Sequence, residues 1–488
     1  MRGADYATIA AALALAGCNL APDYAPPQVA APAAYGNIGP WAPAAPADTA
    51  SRGPWWAQFA DPVLDDLEQR IETASPQLAA ALARYDQARA YRQQARSELF
   101  PEIGAQASAE RDRVSARRPL AGTSGAQRYN DYVVGASASY ELDLWGRVRN
   151  MVSAGRANEQ ASAADLANVR LSLQAELADD YFRMRGLDAE TALLEATVDA
   201  YQRAFKLTDA RHSGGASSGL DVGRAQTQLS SARAQLAEVA AERALLEHAI
   251  AALVGENASS FTIARATTGM AQPRPVPVGA PSTLLQRRPD IAAAERRMAA
   301  ANARIGMQKA AFFPTISLGL AGGYETTGGD LLSKSTSFWA LGPAAAVLSL
   351  FDGGRRRAAV AVARGEFDEA AANYRQTVLD AFRAAEDQMT LANRLAESAR
   401  DQAEAVKAAE QTNRLALIRY REGAADYLEV VTSQTAELEA KRTALDIRTR
   451  RLQANVDLIR AFGGGWDGML DPPNKGRAAA APTPITAN

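Results

Sequence analysis

The sequence predicts a mainly α-helical fold in which very long helices carry two pairs of short strands, the whole arrangement made twice. Three observations predict it. Residues 146–211 and 354–421 contain no proline, and about 65 residues at 1.5 Å each make a helix on the order of 100 Å long. Segments about 208 residues apart echo one another, a spacing far above solenoid periods and suited to a duplicated domain. Alanine, the best helix former, supplies roughly a fifth of the chain.

Composition narrows the function. The 488 residues include 53 basic and 55 acidic side chains, for a net charge of −2. This balance excludes coating nucleic acid by bulk charge. A single Cys excludes an intramolecular disulfide framework and a Cys-rich zinc site. His212 and His248, the only histidines, leave little for metal or acid–base chemistry. Phe462-Gly463-Gly464-Gly465-Trp466 reads as a helix end, not a nucleotide loop. No enzyme, metal site or cofactor is expected. Beyond the first twenty residues no window holds the ~18 consecutive apolar residues of a membrane-spanning helix, so any crossing must use strands.

Taken in order, residues 1–17 read as a signal peptide: Arg2, then an apolar run from Ala7 to Ala16. Leu15-Ala16-Gly17-Cys18 resembles the lipobox of bacterial lipoproteins, which implies acylation of Cys18 as the one covalent attachment. Residues 18–60, rich in Pro and Ala, cannot stay helical and read as an extended tether. Residues 61–275 and 276–466 are the two repeats, and 467–488 a low-complexity tail.

Each repeat opens with a moderate helix, 76–99 or 290–312, stopped by Pro101 or Pro314. Two strands follow, expected near 103–112 and 132–142 in the first copy and 315–325 and 337–350 in the second. Val134, Ala136, Ala138, Tyr140 and Leu142 alternate with smaller or polar residues, the period of a half-buried strand. Pro343 makes the last strand the least regular. The long helices come next, 146–211 and 354–421, each followed by a returning helix, 220–254 and 427–462. Val431, Leu438, Leu445, Leu452 and Ile459 recur at sevens, as do Val222, Leu229, Leu236 and Ile250, with Arg243 interrupting. A sustained heptad gives a left-handed supercoil; an ordinary helical core is the alternative.

Four strands cannot close a barrel, since about eight are already needed to enclose side chains alone. An open edge cannot face lipid. If the strands enter a membrane, copies must share one barrel, and three would supply twelve strands. The expected fold class is therefore a coiled-coil α-barrel plus a shared trimeric β-barrel.

Several phrases in the sequence carry a family resemblance. They are Pro54-Trp55-Trp56-Ala57-Gln58-Phe59-Ala60-Asp61-Pro62, the run Leu284 to Arg296, Ala310 to Pro314, Leu350 to Arg355, Arg419-Tyr420-Arg421-Glu422-Gly423, and Phe462 to Trp466. With Cys18 they span essentially the whole body, and the chain resembles the outer-membrane factors, the TolC-like, NodT-type efflux lipoproteins. The resemblance implies a homotrimeric, passive exit channel for drugs or other small toxic compounds. It also implies a periplasmic adaptor and an inner-membrane RND-type pump as partners, outer-membrane lipid around the strands, and no nucleic acid.

Two helix-to-helix turns are the candidate sites. By resemblance they form the periplasmic mouth, where the duct closes and the adaptor docks: His212, Gly215 and Asp221 in the first, Arg419, Arg421, Glu422, Gly423 and Asp426 in the second. Asp426 repeated about an axis would make a ring of like charge, with Arg419 a possible partner across elements. Asp426-x-x-Glu429 and Ser218-x-x-Asp221 equally suit helix caps. Trp145 and Trp339 fit either an interfacial belt or junction packing, and Arg355-Arg356-Arg357 either lipid headgroups or a solvated face. Two other functions share much of the pattern: the exit channel of a type I protein-secretion system, and a non-conducting structural coiled-coil lipoprotein.

Overall fold

A computed structural model describes residues 19–27, 35–36, 54–115, 117, 127–266, 270–272 and 287–464. The signal peptide, Cys18, residues 284–286, Gly465-Trp466 and the tail lie outside the described residues. The element order after a short 3-10 turn at Trp55–Phe59 is α1 (Pro62–Ala74), α2 (Pro76–Ser97), β1 (Glu102–Val114), β2 (Gln127–Leu142), α3 (Arg147–Ser213) and α4 (Gly219–Leu253). The second half repeats it as α5 (Pro289–Ala310), β3 (Thr315–Thr326), β4 (Ser337–Val347), α6 (Arg355–Arg421) and α7 (Tyr427–Ala461). The long helices α3 and α6 are 67 residues each and the returning helices 35 each. Among the described residues no helix is long and apolar enough to cross a membrane.

The chain divides into two compact units that each gather segments of both repeats. The first holds residues 1–28, 85–162 and 293–375, including the four strands found among the described residues. They form one antiparallel sheet in the order β1-β2-β3-β4. β2 pairs with β3 from Leu142↔Ile316 to Tyr132↔Thr326, joining the two repeats. β1 and β4 are edges, and the ladder of β3 with β4 shifts between Leu318 and Leu320. Pro343 sits in that edge strand beside the shift, where its missing N–H costs no central ladder bond. Ile103, Trp339 and Leu341 are each about four-fifths exposed.

The strand-to-helix junctions of this unit are tied by local chemistry. Trp145 donates its Nε1–H to the Pro314 carbonyl at 2.9 Å and stacks on Phe313 at 4.6 Å. This is the junction-packing reading of Trp145; Trp339 remains exposed on β4. Glu141 takes a bidentate pair from Arg147 at 2.8 and 2.7 Å. In the second copy Arg356 pairs with Asp352 and lies 5.4 Å over Phe312, while Arg355 and Arg357 are exposed.

Residues 19–27 lie along α5. Asn19 Oδ1 accepts from Asn150 and from Ala21 N–H, Asn302 donates to the Pro22 carbonyl, and Tyr24 donates to Glu295. Gly306 allows the approach: a Cβ there would stand 2.8 Å from Ala21 N.

The second unit holds residues 29–84, 163–292 and 376–488. Its core packs α1 on α3. Asp61 caps α1 by accepting from Val63 and Leu64 N–H, and Pro62 occupies the first helical position, where its missing N–H is no loss. The other Asp61 oxygen accepts from the Tyr181 hydroxyl at 2.7 Å, and Phe59 packs on Phe182 at 4.7 Å. Arg288 forks onto Asp290 at 3.0 and 2.7 Å and donates to the Ala461 carbonyl.

The heptad positions line the helix seams. Leu229, Ile250, Leu452 and Ile459 are buried, and Leu236 and Leu438 pack around Leu187, Leu194 and Val239. Arg243 breaks the apolar series for a reason. Its guanidinium is buried and binds Asp188 at 2.7 Å, Glu247 at 3.1 Å and the Ile263 carbonyl at 2.6 Å. Asp188 also takes Arg185 and the Ala266 N–H. A buried charge is tolerable only when paired in this way.

Candidate functional site

The two turns lie in the second unit and are built alike. Each long helix ends on a glycine with positive φ, Gly215 at 75° and Gly423 at 76°. A left-handed residue there closes the helix at no steric cost. Ala216 N–H returns to the Arg211 carbonyl at 2.7 Å and Ala424 N–H to the Arg419 carbonyl at 2.8 Å. These bonds satisfy carbonyls that a helix end leaves open.

The returning helices begin on caps. Ser218 and Asp221 form a reciprocal capping box, with Ser218 Oγ accepting from Asp221 N–H and Asp221 accepting from Ser218 N–H. Asp426 accepts from Glu429 N–H at 3.1 Å and is the N-cap of α7. Both acids therefore carry the capping role within the chain. Arg419 pairs with Glu429 at 2.6 Å and also donates to the Ala424 carbonyl. Within one chain the expected Arg419–Asp426 pairing thus gives way to Arg419–Glu429, because the Asp426 carboxylate is already turned onto the helix start. His212 shares a 2.9 Å hydrogen bond with the Ser217 carbonyl. Arg421 and Glu422 are exposed.

Sequence reasoning missed the residue that joins the turns. Arg211 donates to the Tyr420 carbonyl at 3.2 Å and the Arg421 carbonyl at 3.1 Å, and its guanidinium lies 4.8 Å over the Tyr420 ring. Tyr420 and Tyr427 pack with Ala225 and Val430, flanked by Phe205, Leu417 and Val431. Burial, with Tyr420 nearby, pushes the Tyr427 hydroxyl up to about 12. Arg211 therefore holds carbonyls of the opposite turn while shielding an aromatic floor. The signal was present: Arg211 and Arg419 occupy matching repeat positions, yet only one faces its own returning helix.

Among the described residues no group of three or more His, Cys, Asp or Glu could hold a metal ion. The turns offer hydrogen bonding, charge and an apolar floor.

The outer membrane efflux protein family model matches residues 67–256 and 280–464. The chain belongs to the outer membrane efflux protein family. The two matched spans follow the two repeats. The probable efflux pump outer membrane protein TtgC of Pseudomonas putida is 32% identical over 457 residues, covering 93% of this chain and 94% of TtgC. The pyoverdine export outer membrane protein OpmQ of Pseudomonas aeruginosa is 31% identical over 465 residues, covering 94% and 96%. The solved outer-membrane channel OprN aligns with a TM-score of 0.83 at 29% identity, covering 92% of this chain and all of that one. Members of the outer membrane efflux protein family are channels of efflux pumps and not enzymes, and this chain is such an outer-membrane channel.

Proposed function

We propose that three copies of this chain form the exit duct of a tripartite pump for drugs or other small toxic compounds. Cys18 is the acyl anchor in the outer membrane, and the two turns are the periplasmic mouth. The observation that carries this is the sheet: four antiparallel strands with β1 and β4 left as edges, and large apolar side chains standing out from the faces. Open edges are untenable in lipid, and identical copies supply the missing partners. Small cargo is favoured by the relatives, since TtgC is named for an efflux pump and OpmQ for pyoverdine export. A periplasmic adaptor and an inner-membrane RND-type pump would engage the mouth and supply the energy. His212, Gly215, Asp221, Arg419, Arg421, Glu422, Gly423 and Asp426 shape that mouth; Arg211 latches its two turns together.

Native mass measurement of the detergent-extracted protein, with conductance in planar bilayers, tests the reading. A trimer that conducts is expected. A stable monomer that leaves the bilayer insulating would overturn it.

A further inference from the structure

Among the described residues, unit 2 carries a basic cluster that makes no salt bridge and an acidic cluster with a single cation, Arg183, nearby. The first is basic. Arg448 and Arg451 are one turn apart on α7. α6 runs beside α7 in antiparallel register, with Gln402 donating to the Ala440 carbonyl and Lys441 pairing with Glu410 at 2.9 Å. That register sets Arg400 of α6 level with Arg448. Arg448 donates to the Met270 and Ala271 carbonyls, but its Nε is buried with no partner. Arg400 is exposed and Arg451 half-buried. Burial lowers the affinity of Arg448 and of Arg451 for their protons, and the neighbouring charge, Arg451 for the former and Arg400 for the latter, lowers it further.

The second cluster is acidic. Glu176 and Asp180 stand four residues apart on α3, an unfavourable spacing for like charges. Burial and then Glu176 raise the Asp180 carboxyl, while Arg183 beside it acts in the opposite sense. Asp179 looks toward Asp457 of α7, and Tyr181 toward Asp61 ahead of α1. Glu176 and Arg183, three and four residues from Asp179, share its side of α3 away from Tyr181 and are exposed, and Asp180 is half-buried beside them.

The two clusters share a level. Arg442 of α7 bonds Glu190 of α3 at 2.6 Å, and Thr449 packs on Gly186. Following this antiparallel register, Asp180 lies about one helical turn from the level of Arg451, ~6 Å, and Glu176 about two. Rotation about an axis parallel to the helices keeps every residue at its own level. A cyclic ring joins one face of a copy to a different face of the next.

We propose that Arg400 and Arg451, with Arg448 behind them, form a subunit seam with Glu176 and Asp180 of a second copy of this chain. Each cluster is frustrated alone and complementary to the other, so the seam sets partner, face and level together. The proposal rests on the shared-barrel reading above and adds its contact.

Charge reversal in the full-length protein tests it. Arg448 is left intact because it holds the Met270 and Ala271 carbonyls. Arg400→Glu with Arg451→Glu, or Glu176→Lys with Asp180→Lys, is expected to raise the trimer dissociation constant about tenfold or more at unchanged helicity. Combining the two pairs is expected to recover most of the loss. A second measurement pairs Arg451→Cys with Asp180→Cys in a chain whose only natural cysteine is Cys18; oxidation should link copies into a covalent trimer. Trimers in which both reversals leave the dissociation constant unchanged and no link forms would overturn the seam while leaving the duct intact. A monomeric parent protein would overturn both.

Discussion

Glu68 of α1 is fully buried, and neither of its carboxylate oxygens has a protein hydrogen-bond partner. Burial, and then the nearby Glu72 and Asp65, push its carboxyl from the ordinary 4.5 up to about 9. The folded chain therefore keeps a proton that the unfolded chain releases above about pH 4.5. Since the unfolded state binds fewer protons through this window, stability falls as pH rises, by about 1.4 kcal/mol per unit, and levels off near pH 9. At pH 7.5 the accumulated penalty is on the order of 4 kcal/mol. Glu68→Gln keeps the shape and removes the ionisation. Thermal unfolding scans of parent and variant in one detergent at half-unit steps from pH 5 to 9 should therefore diverge. The variant should gain on the parent steadily above pH 5, the gap flattening near pH 9. Asp179, raised to about 8 by burial and then Asp457, tilts both curves equally, so only their difference is diagnostic. Parallel curves would refute the assignment of a neutral, unpartnered acid at Glu68.

Three further outcomes follow from the same structure. Arg243→Ala should lower stability by roughly 3–5 kcal/mol, because Glu247 would lose its cation and buried Asp188 one of its two, with only Arg185 left to it; Arg243→Lys should not restore it, and chemical denaturation reads both. Gly306→Ala should release residues 19–27 from α5, since the new methyl would meet Ala21, and limited proteolysis should then cut that segment faster at unchanged helicity. At the turns, Arg211→Ala should raise channel open probability in bilayers by freeing the Tyr420 and Arg421 carbonyls, whereas Asp426→Asn, which keeps the cap, should match the parent; Asp426→Ala should loosen the start of α7 by about 1 kcal/mol, measured by hydrogen exchange.

The periodic features were legible in the sequence. Proline-free stretches and heptads placed α3, α4, α6 and α7 within two residues of their ends, because helix length and apolar spacing are local properties. The alternation in Val134–Leu142 marked β2, and the helix caps at Ser218 and Asp426 were readable from Ser218-x-x-Asp221 and Asp426-x-x-Glu429. What stayed hidden depends on chain segments brought together from afar. Arg243 looked like an interruption because its partners Asp188 and Ile263 lie 55 and 20 residues away. Arg211 looked like one more charge near a turn, since its acceptors are carbonyls 209 and 210 residues on. Glu68 gave no hint of burial: in α1 it sits among the acidic residues Asp65, Asp66 and Glu72.

The described residues hold four strands, an even number, and that parity has a consequence for assembly. Along the sheet the strand direction alternates, so β1 and β4 point opposite ways. Any ring of copies turned about one axis preserves those directions, and β4 of one copy then meets β1 of the next antiparallel, like every internal ladder. A chain with three or five strands would instead force a parallel joint wherever two copies met. Duplicating a hairpin, rather than adding a lone strand, is the step that lets the joints between molecules obey the same hydrogen-bonding rule as the joints within them.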